Sequence, residues 1–113
     1  MNMIENTIKI IAVDYDGTLN KLEYGKGEDP DFDLINKLNA EQSEGAKLIL
    51  WTCREGSDLE EAVNNCSRWG IHFDAINDNI EEAKLAWNNN TRKVGATIFI
   101  DDRAITSEQY LKM

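Results

Sequence analysis

Four short apolar runs recur along the chain, with polar, helix-period segments between them. IKIIAV (8–13), AKLILW (46–51), HFDAI (72–76) and ATIFI (96–100) are nearly continuous in apolar residues, the pattern of parallel strands covered on both faces. After the first run, Asp29-Pro30 offers a helix cap and a first-turn proline, Leu34, Ile35 and Leu38 form a stripe, and Gly45 can end the segment. The strongest helix spans 57–69, where Leu59, Ala62, Val63, Cys66 and Trp69 share one face. Ser57 with Glu60 predicts a capping box there, and Gly70 a stop. A weaker helix covers about 80–88, with Ile80, Ala83 and Trp87 on one side. The segment 20–29, NKLEYGKGED, reads as a loop or small hairpin, and no element is assigned after Arg103. This order predicts an α/β fold, a doubly wound, mostly parallel sheet of four or five strands flanked by helices, as a single domain over 1–113.

Composition narrows the partners. A hydrophobic fraction of 42% suffices for a packed core and argues against disorder. The formal charge of −9 repels phosphate backbones and anionic membranes, so nucleic acid is disfavoured while a small anion held by a metal is not. Cys53 and Cys66 are the only two cysteines, and neither sits in a CxxC pair or near the single His72, so no structural zinc site is expected. Both read as reduced thiols, which suits the cytoplasm. Lys9 breaks the N-terminal apolar run, which is read as neither signal peptide nor membrane span.

In an open parallel sheet, ligands bind beyond the carboxyl ends of the strands. There the chain carries Asp14 and Asp16, then Thr52, Cys53 and Arg54, then Asn77, Asp78 and Asn79, and finally Asp101, Asp102 and Arg103. Side-chain alternation turns Asp14 and Asp16 one way and Tyr15 the other, and Gly17 lets the backbone turn sharply. Carboxylates this close repel unless one holds a proton or the set captures a cation; an oxygen set suits a hard ion such as Mg2+. Bland roles are assigned elsewhere: Trp51, Trp69 and Trp87 to the core, with Trp51 facing away from Thr52, His72 to structure, and Asp78 to a helix cap.

The stretch Asp14-Tyr15-Asp16-Gly17-Thr18 resembles the DxDGT motif of the haloacid dehalogenase-type phosphatases. LILWT, ending at Thr52, resembles the family's second motif, and IFIDDR, with Asp101 and Asp102, its fourth. The resemblance covers residues 8 to 103. It implies a Mg2+-dependent phosphohydrolase acting on a small phosphorylated substrate, with Asp14 as nucleophile and Asp16 as general acid and base. It also implies that Thr52 binds the phosphoryl oxygens, and that Asp14, the Asp16 carbonyl, Asp101 and Asp102 hold the metal. The family's phosphate-binding cation has two candidates, Lys93 and Lys84. TRK before IDDR resembles bacteriophage polynucleotide kinase-phosphatases and favours Lys93, but its eight-residue separation from Asp101 can span roughly 26 Å. Arg54 and Arg103 are read either as phosphate or substrate contacts or as salt-bridge partners of the acidic rim. Neither 18–45 nor 77–94 has room for a cap domain, so the cleft is expected to be open. Substrate contacts are then expected from loop 20–29, or from a second subunit in a homo-oligomer.

Two rival readings stay open. One is a nucleic-acid 3′-end phosphatase, which the charge opposes. The other is a non-hydrolytic, receiver-like module phosphorylated on Asp78.

Overall fold

The computed structural model describes residues 8–87, 96–100 and 105–113. Among them four strands form one all-parallel sheet: β1 (Ile10–Val13), β2 (Lys47–Leu50), β3 (Ala75–Ile76) and β4 (Ile98–Ile100), in the order β3-β2-β1-β4. Four helices flank it: α1 (Phe32–Ser43), α2 (Gly56–Arg68), α3 (Glu81–Trp87) and α4 (Ser107–Leu111). This is the doubly wound α/β architecture read from the apolar runs, and no separate cap is built from the described residues.

Alternation along the strands divides the core in two. Ile11, Val13, Leu48 and Leu50 face one layer, where they meet Leu34, Ile35 and Leu38 of α1, Ala62 and Cys66 of α2, and Tyr110 of α4. Ile10, Ala12 and Ile49 face the other, against Ile80, just before α3, and Ala83 within it, with Trp51 packed beside them. Crossovers that climb from β1 to β3 thus run over one face, and the return to β4 runs over the other, as right-handed connections require. Trp51 does turn to the α3 side. The side chain of Trp87 lies outside the described residues.

Three local expectations are corrected. The cap of α1 is Asp31, whose carboxylate accepts from the Leu34 N–H at 3.1 Å, not Asp29-Pro30. Pro30 is instead drawn into a bridge with Asn20, so the helix starts later. The box at Ser57 does not form, because α2 begins at Gly56 and its N-cap, Glu55, makes no side-chain capping bond. The third strand shrinks to two residues: the Asp74 carboxylate accepts the Leu48 N–H at 2.8 Å, replacing a ladder carbonyl where HFDAI predicts backbone pairing. α4 is an addition. Its capping box, Thr106 with Gln109, and the buried Tyr110 were legible in TSEQYL.

Candidate functional site

β1 pairs with β2 on one side and β4 on the other, with Val13 level with Leu50 and with Ile100. The chain therefore switches direction around β1, and a crevice opens at the carboxyl edge of such a strand. The ladder extends one residue further, since the Asp14 N–H donates to the Ile100 carbonyl at 3.0 Å. Then the backbone turns at Gly17, whose φ of 75° lies where a side chain would be strained, as expected from DGT. Tyr15, fully buried, is the anchor between the two acids.

A cavity of about 480 Å³ stands at this edge, lined by Asp14, Asp16, Tyr24, Thr52, Cys53, Arg54, Glu55 and Asp58. Four site residues read from the sequence, Asp14, Asp16, Thr52 and Arg54, are thus brought together from β1 and β2. Lys93, Asp101 and Asp102 lie outside the described residues, as does Arg103. Lys84, the competing cation, is not among the described lining residues. Its ammonium pairs with Asp78 at 2.8 Å, and that hydrogen bond raises its pKa. Asp78 also accepts the Asn79 N–H at 2.9 Å, so it acts as a local turn cap.

Among the described lining residues the positive charge is Arg54. Its Nε and Nη2 donate to the two Asp16 oxygens at 2.8 Å each, a planar fork, and Nη1 donates to the Asp58 carbonyl at 3.1 Å. The Asp16 hydrogen bond is the main cause that raises the guanidinium pKa, against the opposing effect of burial. Thr52 is fixed on both sides. Its N–H donates to Asn77 Oδ1 at 2.8 Å, and its hydroxyl accepts from the Arg54 N–H at 3.2 Å. A hydroxyl that accepts there keeps its own proton to donate.

Loop 20–29 reaches the cavity through Tyr24, as expected of that segment. The Tyr24 hydroxyl donates to Asp58 at 2.7 Å, a bond that raises its pKa. The base of the loop is tied by the buried Asn20, whose amide donates to the Gly27 carbonyl and whose oxygen accepts from Leu22 and Asp29 N–H groups. Asn77, Asp58 and Glu55 carried no role in the sequence reading. Asn77 had a signal, since asparagine tolerates the left-handed backbone it adopts (φ 51°), but its bond across to Thr52 had none.

Among the described residues, no group of three or more His, Cys, Asp or Glu side chains gathers in metal-holding geometry. None of their helices is long and apolar enough to cross a membrane. Cys53, exposed, and Cys66, buried, are both free thiols.

No family model matches the sequence, and no curated protein does. A solved structure does match: a conserved protein coded by a locus of Bacteroides thetaiotaomicron, 38% identical, with a TM-score of 0.72 over 88% of this chain and 79% of that one. At that identity and coverage, the chain belongs to the same family as this conserved Bacteroides protein.

Proposed function

We propose that the protein is a Mg2+-dependent phosphohydrolase of the haloacid dehalogenase type, cleaving a small phosphomonoester through an aspartyl-phosphate on Asp14. The observation that carries this reading is the shared cavity. Asp14, Asp16 and Thr52, remote in sequence, line one opening at the carboxyl edge of β1 and β2. Asp14 and Asp16 bring to this lining oxygen donors of the kind a hard cation takes, though the described residues alone complete no metal-holding group. The Asp14 carboxylate and the Asp16 main-chain carbonyl would hold the ion, with Asp101 and Asp102 as the donors that the motif resemblance adds. When bound, the cation supplies the positive charge that lets an anionic carboxylate approach an anionic phosphate.

The chain's own groups do the rest. An Asp14 oxygen attacks phosphorus and the ester P–O bond breaks; the departing oxygen takes its proton from the Asp16 carboxyl. Water then attacks the same phosphorus, gives its proton to the Asp16 carboxylate, and breaks the bond to Asp14, releasing phosphate. Thr52 donates its hydroxyl proton to a phosphoryl oxygen throughout. With −9 net charge, the chain favours small substrates over polynucleotides. The test is turnover of an aryl phosphate with Mg2+. Asp14→Asn should abolish it while circular dichroism stays unchanged, and retained turnover would refute the nucleophile.

A further inference from the structure

Arg54 is held in the cavity wall by three side-chain hydrogen bonds. Its side chain is 9% exposed and that of Asp16 19%. The edge formed by Nε and Nη2, one of those suited to fork onto a phosphate, is already forked onto both Asp16 oxygens. Nη1 gives one of its hydrogens to the Asp58 carbonyl, so three of the five guanidinium N–H donors are engaged. The guanidinium carbon also lies 4.7 Å from the centre of the Tyr15 ring and 5.0 Å from that of Tyr24. Tyr15 belongs to the core, but Tyr24 is 59% exposed and belongs to loop 20–29, fastened to α2 through Asp58. One arginine thus touches the acid–base candidate, the core, the first turn of α2 and the loop.

We propose that Arg54 is a positioning residue for Asp16 rather than a ligand of the phosphate, and that Tyr24, through Arg54, couples the seating of loop 20–29 to the aim of the Asp16 carboxylate. The inference rests on the phosphohydrolase reading above. A fork fixes the plane of a carboxylate, and proton transfer to a departing oxygen depends on that plane. Lysine keeps the charge of Arg54 but cannot make the fork.

The experiment measures aryl phosphate turnover with Mg2+, using inorganic phosphate as a competitive inhibitor, for Arg54→Lys, Tyr24→Ala and the double variant. Arg54→Lys should lower kcat roughly 100-fold, the cost of a misplaced catalytic group, with KM and the phosphate inhibition constant within about twofold of wild type. Tyr24→Ala should lower kcat roughly two- to fivefold, the worth of an exposed cation–π contact. On the Arg54→Lys background, it should add nothing. A rise of KM and of the phosphate constant together would make Arg54 a phosphate ligand and overturn the proposal. So would a Tyr24→Ala loss that persists in the double variant. If Arg54→Lys does not fold, Tyr24→Ala, at an exposed position, still decides between a kcat and a KM effect. Wild-type protein without turnover overturns this proposal and the phosphohydrolase reading together, whereas turnover with the KM pattern overturns this proposal alone.

Discussion

Tyr15 lies parallel to Trp69, with ring centroids 5.8 Å apart and 5° between the planes. The residue between the two cavity acids is thereby held against the end of α2, and its hydroxyl accepts a hydrogen bond from the buried Asn65 at 2.9 Å. Desolvation by burial raises the Tyr15 pKa, against the Asn65 hydrogen bond, which lowers it. Trp69→Ala should cost about 3 kcal/mol by urea denaturation, toward the lower end for a truncated aromatic because Trp69 is only partly buried. Trp69→Phe should recover most of it. An Ala variant as stable as wild type would mean the stack anchors nothing.

Asn20 should prove the keystone of loop 20–29. Its side chain closes three hydrogen bonds to loop backbone, at 2.8 to 3.2 Å, without exposure to solvent. Asn20→Ala leaves those groups unpaired and should cost roughly 2–4 kcal/mol. Asn20→Asp keeps the acceptor but sets a buried carboxylate oxygen against the Gly27 carbonyl, so it should cost at least as much as Asn20→Ala. A clearly smaller cost would show that the donor side contributes little.

Stability should fall on the alkaline side. Burial pushes the Cys66 thiol from an ordinary 9.0 up to about 12, and the Tyr110 phenol from 10.0 up to about 12. Between these limits the unfolded chain has released protons that the fold still binds, so unfolding is favoured as pH rises. Below the unfolded values, the contribution is fully present. Among the described residues, the buried Tyr110 hydroxyl has no hydrogen-bond partner. Tyr110→Phe should therefore be neutral or stabilising by up to about 1 kcal/mol at neutral pH, and should lose less stability near about pH 11. A clear loss at neutral pH would reveal a partner for the hydroxyl.

Metal binding should be visible without turnover. A tenfold excess of Mg2+ over its dissociation constant stabilises a native-state site by about 1.4 kcal/mol, a rise of several degrees in Tm. Asp14→Asn should diminish that rise. Absence of any shift at millimolar Mg2+ in wild-type protein would argue against the cation.

Most of the fold was legible because strands covered on both faces leave continuous apolar runs, and those runs set β1, β2 and β4 nearly in place. What failed was local and had tertiary causes. Two acids flanking Pro30, Asp29 and Asp31, compete to cap α1, and the remote bridge of Asn20 to Pro30 decides the matter. Ser57 loses its box because α2 begins one residue earlier, at Gly56, with Glu55 as its cap. In the site, Asp14, Asp16 and Thr52 were readable from their positions after apolar runs. For Arg54 a salt bridge to the acidic rim was one of two readings, and the structure forms it; that Asp16 is the partner, held by a fork, had no periodic signal in the sequence.

The short third strand has a consequence for the protein in crowded solution. A bare sheet rim invites other extended chains to add on, and long, flat, apolar rims are where aggregation begins. Here β3 offers only two residues as a template, and the Asp74 carboxylate beside it is turned onto the Leu48 N–H of β2. So short a rim gives an incoming strand few backbone groups to pair with.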